Sequence, residues 1–333
     1  MCRKDISVFA MTNIETLVYF DLEATGLRSS GKPRICEISL LAVNTQDVLD
    51  LHKKIMEHFK TGRKEATPVN LDHLLPRVIN KLTLCVYPMN PILPLVSDIT
   101  GLDNYNLSGQ SKFTKNTGNL INSFLNCLPS PVCLVAHNGN AYDFALLKSE
   151  MEKVGSHLNT GILCADSYIG IKEIFVTTKN VNQYDELSEE VNNTKIEMDA
   201  ALELMKAGVF ETEMKEGICE GFIATKNNFI VSKEENEKSP SRTGNKVNSI
   251  LLRKPRKIQS NPRKLSYLNP RPPPSYSLVN LHQHLLGCFP DKSHGAEVDC
   301  LTLLRTTAVL GGDWIEWVKE NCYLFENCQK MWG

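Results

Sequence analysis

Phe20-Asp21-Leu22-Glu23-Ala24-Thr25-Gly26-Leu27 closes a short apolar run, Leu17 to Phe20, with two carboxylates placed two positions apart. Leu, Val, Tyr and Phe in succession favour a strand. Residues two apart on a strand point to one face, so Asp21 and Glu23 share a side at the strand's end. Two carboxylates at that spacing repel each other unless a cation sits with them, and a divalent metal is the natural partner. Gly26 then lets the chain turn or approach a ligand closely. A solvated Asp-Leu-Glu at a strand end has the same spacing. The octapeptide by itself leaves both readings open.

The surrounding pattern supplies the scaffold. Ile35 to Val43 reads as a second strand with Glu37 embedded in it, and Leu82 to Tyr87, closed by Pro88, as a third. The sequence between those two contains Thr67 and Pro68, then Leu71, Leu74 and Leu75, and reads as loop with at most a short helical turn. Thr117 to Leu128 is expected to be a helix with an apolar stripe of Leu120, Ile121, Phe124, Leu125 and Leu128, stopped by Pro129 and Pro131. A buried strand over Val132 to Ala136 follows, then an amphipathic helix from Asp143 to Val154 and a further strand at Ile162 to Cys164. After a long interruption, Leu278 to Leu286, Ala296 to Leu310 and Trp314 to Tyr323 each read as helices. A β-rich opening followed by alternating helix and strand is an α/β domain with polar residues gathered at strand ends.

Length and composition fit that plan. At roughly 150 residues per domain, 333 residues make about two domains, or one with a large insertion. With 42% apolar and 23% charged residues, wholesale disorder, collagen and coiled-coil arrays are excluded. Thirty-seven basic against 38 acidic residues rules out a uniformly basic nucleic-acid coat but leaves room for a local patch. No apolar run approaches the ~18 residues of a membrane span, and MCRKDISVFAM lacks a secretory signature. Eleven cysteines, an odd number with no CxxC, read as reduced and mostly buried thiols of the cytosol or nucleus. Residues 1–13 are a leader, 14–175 and 275–333 two parts of one domain, and 176–274 an insertion expected to be partly disordered. From Asp185 to Lys238 the insertion carries fourteen acidic and six basic residues; from Arg242 to Arg271 it has nine basic and none acidic. Prolines break its periodicity, and a helix is expected only around Met198 to Val209.

Two further segments carry chemistry. Ala136-His137-Asn138-Gly139-Asn140-Ala141-Tyr142-Asp143-Phe144 runs from a strand through a polar turn to Asp143 at a helix start, where an N-cap is the plain account. His294-Gly295-Ala296-Glu297-Val298-Asp299-Cys300 places Asp299 beside Leu301, Leu303 and Leu304. A carboxylate in that apolar setting needs compensation if buried, and a metal can supply it. Five helical residues subtend about 140°, so His294 must come from the preceding turn to meet Asp299.

Together these words carry a resemblance. FDLEATGL, LVAHNGNAYDFALL and HGAEVD, in that order and at those separations, resemble the three motifs of the DEDD exonuclease superfamily with a catalytic histidine. Among those, the chain looks most like the animal three-prime repair exonucleases. NKLTLCVYP from Asn80, SDITGL from Ser97 to Leu102, CADS from Cys164 to Ser167, SYSL from Ser275 to Leu278 and the terminal MWG are similar too. The resemblance implies a ribonuclease H-like exonuclease fold, a mixed central sheet flanked by helices. It implies that Asp21, Glu23, Asp143 and Asp299 hold two Mg²⁺ or Mn²⁺ ions, with Asp21 bridging, for two-metal hydrolysis. His294 then serves as general base, releasing nucleoside 5′-monophosphates from a DNA 3′ end.

The same resemblance implies substrate contacts. Leu27 wedges against the terminal base, and the backbone of Glu23 and Ala24 lies near the terminal 3′-hydroxyl. Asn138, Tyr142, Tyr276 and His294 also line the pocket. An ordinary core role is the alternative reading of Leu27 and Tyr276. Single-stranded DNA or frayed 3′ ends are the implied substrate, in repair or DNA turnover. RNA 3′ ends, or a catalytically idle nucleic-acid-binding role, are the alternatives. A homodimer through Leu82 to Val86 is implied, since an exposed edge strand needs a cover.

Departures are visible as well. Ala141 stands where those relatives commonly carry arginine, and Pro273-Pro274 replace a basic pair, so two phosphate contacts are missing. The basic run from Arg242 to Arg271 is a candidate compensation, though a nuclear-localisation tract or a solvated linker fits it as well. A proline-rich loop between Leu51 and Asn70 is absent, and RPPPSY at Arg271 to Tyr276 offers a short polyproline segment. A hydrophobic C-terminal anchor is also absent, so a cytoplasmic or nuclear enzyme without a membrane tether is expected.

Overall fold

A computed structural model of the chain describes residues 13–61, 71–179, 273–290 and 294–332. The basic run and the expected helix around Met198 to Val209 lie outside these residues. Strand β1, Thr16–Ala24, is the centre from which the rest is placed. It pairs antiparallel with β2, Ile35–Asn44, in a register that sets Asp21 opposite Ser39 and Glu23 opposite Glu37. β2 pairs antiparallel with β3, Asn80–Cys85. On its other edge β1 runs parallel to β4, Val132–Ala136, which runs parallel to β5, Leu163–Asp166. A two-residue β6, Tyr323–Leu324, completes the sheet order β3-β2-β1-β4-β5-β6. This is a mixed sheet flanked by helices, the architecture expected from the sequence.

The alternation of β1 sorts its two faces. Val18, Phe20 and Leu22 join Ile38 and Leu40 of β2 in the main core. They pack on Ile121 and Leu125 of α3, Lys115–Asn126, and on Phe144, Leu147 and Met151 of α4, Asp143–Lys153. Burying each such side chain is worth about 1.5–3 kcal/mol, which fixes the strand register. Leu120, read as part of the apolar stripe, is instead 46% exposed. The opposite face takes a C-terminal group of helices. The Tyr19 hydroxyl lies 2.9 Å from Thr307 Oγ1 of α7, Ala296–Leu310. Before it comes α6, Leu278–Leu286, whose N-cap Ser277 accepts the Asn280 N–H; after it comes α8, Gly312–Asn321.

Three helices correct the sequence reading. Thr45–Thr61, expected as loop, is the 17-residue helix α1. Val48, Leu51 and Ile55 are buried at helical spacing, a stripe obscured by the charged residues between them. Pro94–Thr100 forms the short α2, started by proline at its first turn and ended by left-handed Gly101. Ser167–Lys179 is α5, with Ile171, Ile174 and Phe175 buried and Gly170 close against Trp314 and Trp317. It runs past residue 176, where the insertion was expected to begin. The third strand starts two residues earlier than expected and stops at Cys85, although the Val86 N–H still donates to the Cys36 carbonyl at 2.8 Å.

Nine described cysteines are free thiols, five of them buried. No helix among the described residues is long and apolar enough to cross a membrane.

Candidate active site

At the end of β1 the alternation changes from wholly buried to half-open. Asp21 and Glu23 are partly exposed while Leu22 and Ala24 are buried, so both carboxylates face the α7 side. Helix α7 is held there by contacts on each side of Asp299. The Cys300 thiol donates to the Ser39 carbonyl at 3.6 Å, directly opposite Asp21, and Tyr19 meets Thr307 two turns on. The Ala296 N–H donates to Glu37 Oε2 at 2.9 Å, and Glu297 pairs with Lys81 of β3. Asp299 therefore projects over the strand end. One ligand atom from each of Asp21, Glu23 and Asp299 lies within 4.8 Å of the other two.

Asp143 is the fourth carboxylate. The N-cap account of it does not hold: Tyr142 occupies the cap position and Asp143 is the first helical residue, only 5% exposed. Its carboxyl is pushed up to about 7, mainly by burial, against the opposing effect of hydrogen bonds from its own backbone and that of Leu22. The Leu22 bond ties the second motif to the first. Glu23 is pushed up to about 8 by burial and then by the charges of Asp299, Glu37 and Asp143. Burial first, and the Asp143, Asp299, Glu23 and Glu37 charges next, hold Asp21 well above the carboxylate range. Asp299 is raised by burial, with the His294 N–H and the His294 charge working the other way. Carboxylates that raise one another in this way suit a hard divalent cation, which removes the repulsion. The residues fit a metal site.

His294 comes from the turn before α7, as the helical spacing requires. Its N–H donates to Asp299 Oδ2 at 3.1 Å, its backbone is left-handed at φ 77°, and the residue is exposed. Asn138, in the second motif, is also left-handed at φ 60°. Such conformations in residues other than glycine cost energy and gather at functional sites.

Two carboxylates escaped the sequence reading as site residues. Glu37 stands across from Glu23 and caps the first turn of α7; its signal was a single acid inside the apolar run from Ile35 to Val43. Asp166, 3% exposed, accepts the N–H groups of Asn138, Asn140 and Tyr168, each at 3.0 Å, and so shapes the turn before Asp143. Burial pushes its carboxyl up to about 6 despite those bonds. The signal for it was the acid in CADS. Within the same turn, a Cβ on Gly139 would meet Ala136 and Phe144 at 2.7 Å, so only glycine permits this packing.

The expected substrate residues fall into two groups. Leu27 is 49% exposed beyond Ala24, and the Tyr142 hydroxyl donates to the Gly26 carbonyl at 2.5 Å, so these share one wall with Glu23. Tyr276 sits in another cluster, its ring 6.1 Å from Tyr168 and 6.3 Å from Phe175. It reaches the second motif through its carbonyl, bonded at 2.8 Å to Nε2 of His137. Burial lowers the His137 imidazole to about 4, so it stays neutral and structural at physiological pH. Ala141 is exposed and carries no charge into this wall.

Comparison with known proteins agrees with the motif reading. No family model matches the chain. Human three-prime repair exonuclease 1 is 39% identical over 164 residues, which cover 48% of each chain. Mouse three prime repair exonuclease 2 is 39% identical over 155 residues, 46% of this chain and 59% of that one. The chain resembles the three-prime repair exonucleases. The match spans about half the length of the first relative. Among solved structures, exonuclease I aligns over 89% of this chain and 40% of its own, with 10% identity and a TM-score of 0.46.

Proposed function

We propose that the chain is a metal-dependent 3′→5′ exonuclease that removes nucleotides from single-stranded DNA or frayed DNA 3′ ends. The observation that carries this reading is the meeting of Asp21, Glu23 and Asp299 within 4.8 Å. These residues come from two motifs almost 280 positions apart in the sequence. The identity to the three-prime repair exonucleases supports it. Residues 14–175 and 275–333 act as one catalytic domain, interrupted by the insertion.

In this reading Asp21, Glu23, Asp143 and Asp299 hold two Mg²⁺ ions, with Mn²⁺ able to substitute. Bound there, the ions supply Lewis acidity and neutralise charge at the scissile phosphodiester. His294 accepts the proton of the attacking water, and its backbone bond to Asp299 fixes the turn that presents the imidazole. Exposed Leu27 stacks against the terminal base, and the backbone of Glu23 and Ala24 meets the 3′-hydroxyl. Tyr142, anchored on Gly26, braces that wall, while Asn138 and Tyr276 border the pocket. Products leave as nucleoside 5′-monophosphates. β3 forms one edge of the sheet, and pairing of two copies through it gives a homodimer. DNA repair or turnover in the cytoplasm or nucleus is the corresponding role.

The test is Mg²⁺-dependent digestion of 5′-labelled single-stranded DNA beside matched RNA, with Asp299→Ala as control. A ladder shortening from the 3′ end, lost in the variant and weaker on RNA, is expected. Faster loss of RNA than of DNA would move the enzyme to RNA ends. A folded protein that cleaves neither with Mg²⁺ or Mn²⁺ would leave a nucleic-acid-binding role instead.

A further inference from the structure

A cleft of about 530 Å³ opens between the β1–β2 turn, the C-terminal half of α4 and the chain's last residues, outside the carboxylate cluster. Lys32, Arg34, Lys153, Lys330 and Trp332 line it, with Glu152 the one carboxylate among the lining residues. Arg34 is spent on Glu150 and Lys330 on Glu152. Lys32 and Lys153 are exposed and have no carboxylate partner among the described residues. The walls are fixed. Asn90 Nδ2 donates to the Lys32 carbonyl at 3.0 Å, and Ser149 Oγ accepts the Met331 and Trp332 N–H groups at 2.9 and 3.2 Å. Trp332 is thereby held partly exposed beside two unpaired ammonium groups.

The cleft adjoins the proposed 3′-end pocket. Thr25 and Arg34 are cross-bonded, N–H to carbonyl at 2.9 Å and N–H to Oγ1 at 3.1 Å. Lys32 and Leu27 therefore belong to one turn. Along α4, ten residues separate Asp143 from Lys153, about 15 Å at 1.5 Å per residue. That is about four stacked nucleotides at 3.4 Å each. Unpaired lysines for phosphates and a fixed indole for a base make the combination that grips single strands. Neither Ala141 nor Pro273-Pro274 carries a charge that could serve a phosphate, so the strand needs its cations elsewhere.

We propose that this cleft holds the single nucleic-acid strand running 5′ from the end seated at the carboxylates, Lys32 and Lys153 meeting phosphates and Trp332 stacking a base. The proposal rests on the exonuclease reading, and the test separates the two. Binding of a 12-nucleotide single-stranded DNA to the full chain is measured in EDTA from 0.05 to 1 M NaCl, for wild type and Lys32→Ala/Lys153→Ala. Two lost phosphate contacts should flatten the slope of log K against log salt by about 1.4, a loss of about 25-fold at 0.1 M salt referred to 1 M. Unlabelled DNA should quench tryptophan fluorescence in wild type and not in Trp332→Phe, because Trp314 and Trp317 are buried. Unchanged slope and affinity in the double variant, with wild type binding DNA, overturn the cleft proposal and leave the exonuclease reading standing. Absence of DNA binding by wild type overturns the cleft proposal too, and the exonuclease reading is then decided by the Mg²⁺-dependent digestion.

Discussion

Replacing Glu23 by glutamine should make the metal-free protein more stable, although the change removes a proposed metal ligand. The folded chain holds the Glu23 proton to about pH 8, where the unfolded chain releases it near the ordinary 4.5. Between those values the folded state binds more protons, so stability is intact below about 4.5 and falls as pH rises towards 8. At pH 7 the gap corresponds to about 2.5 pK units, or roughly 3 kcal/mol at 1.36 kcal/mol per unit. Glutamine removes that loss but leaves a half-buried amide to satisfy, so a net gain of about 1–2 kcal/mol is expected. In melting temperature this is about 2–8 °C for a domain of this size. The assay is thermal unfolding of wild type and Glu23→Gln in EDTA at pH 7.5 and pH 5. At pH 5 the pH-dependent part of the difference should shrink below about 1 kcal/mol. Added Mg²⁺ should then stabilise wild type more than the variant, because only wild type keeps the full ligand set. A variant melting at or below wild type in EDTA at pH 7.5, or a gap unchanged at pH 5, would refute the argument that repulsion and burial raise this carboxyl.

Two further substitutions probe the frame around the site. Arg34→Ala strips Glu150, whose side chain is 1% exposed, of its ion-pair partner; a destabilisation of about 3–5 kcal/mol in urea unfolding is expected, and Arg34→Met/Glu150→Met should recover most of it. Glu37→Ala frees the Ala296 N–H and with it the first turn of α7. We expect weaker Mg²⁺ binding by titration calorimetry and a fall in kcat, while Glu37→Gln, which can still accept that bond, should retain more of both.

Much of this protein was legible from local patterns. Val132–Ala136, Leu278–Leu286 and Ala296–Leu310 fall where the apolar runs put them. Those signals act within a few residues, through the burial of one face. Helix α1 was not legible, because Val48, Leu51 and Ile55 are interleaved with charged residues and with Leu49, Met56 and Phe59, and only the surface they pack against makes them a stripe. The sequence order of FDLEATGL, NAYDF and HGAEVD likewise named four carboxylates and a histidine without a distance between them.

What the sequence determined by itself was the set of chemical groups: which strand ends in Asp21 and Glu23, which helix starts at Asp143, and which turn carries His294. Alternation and helical spacing are properties of a single segment, so a linear reading reaches them. The tertiary structure decided that Asp299 closes on Asp21 and Glu23, that Glu37 and Asp166 brace the site, and that β3 lies at the sheet edge. It also placed the lysines of the β1–β2 turn, the end of α4 and the last residues around one cleft. These facts depend on the β1–β2 register and on α7 crossing the sheet. Both are set by contacts between residues far apart in sequence, which no local pattern records.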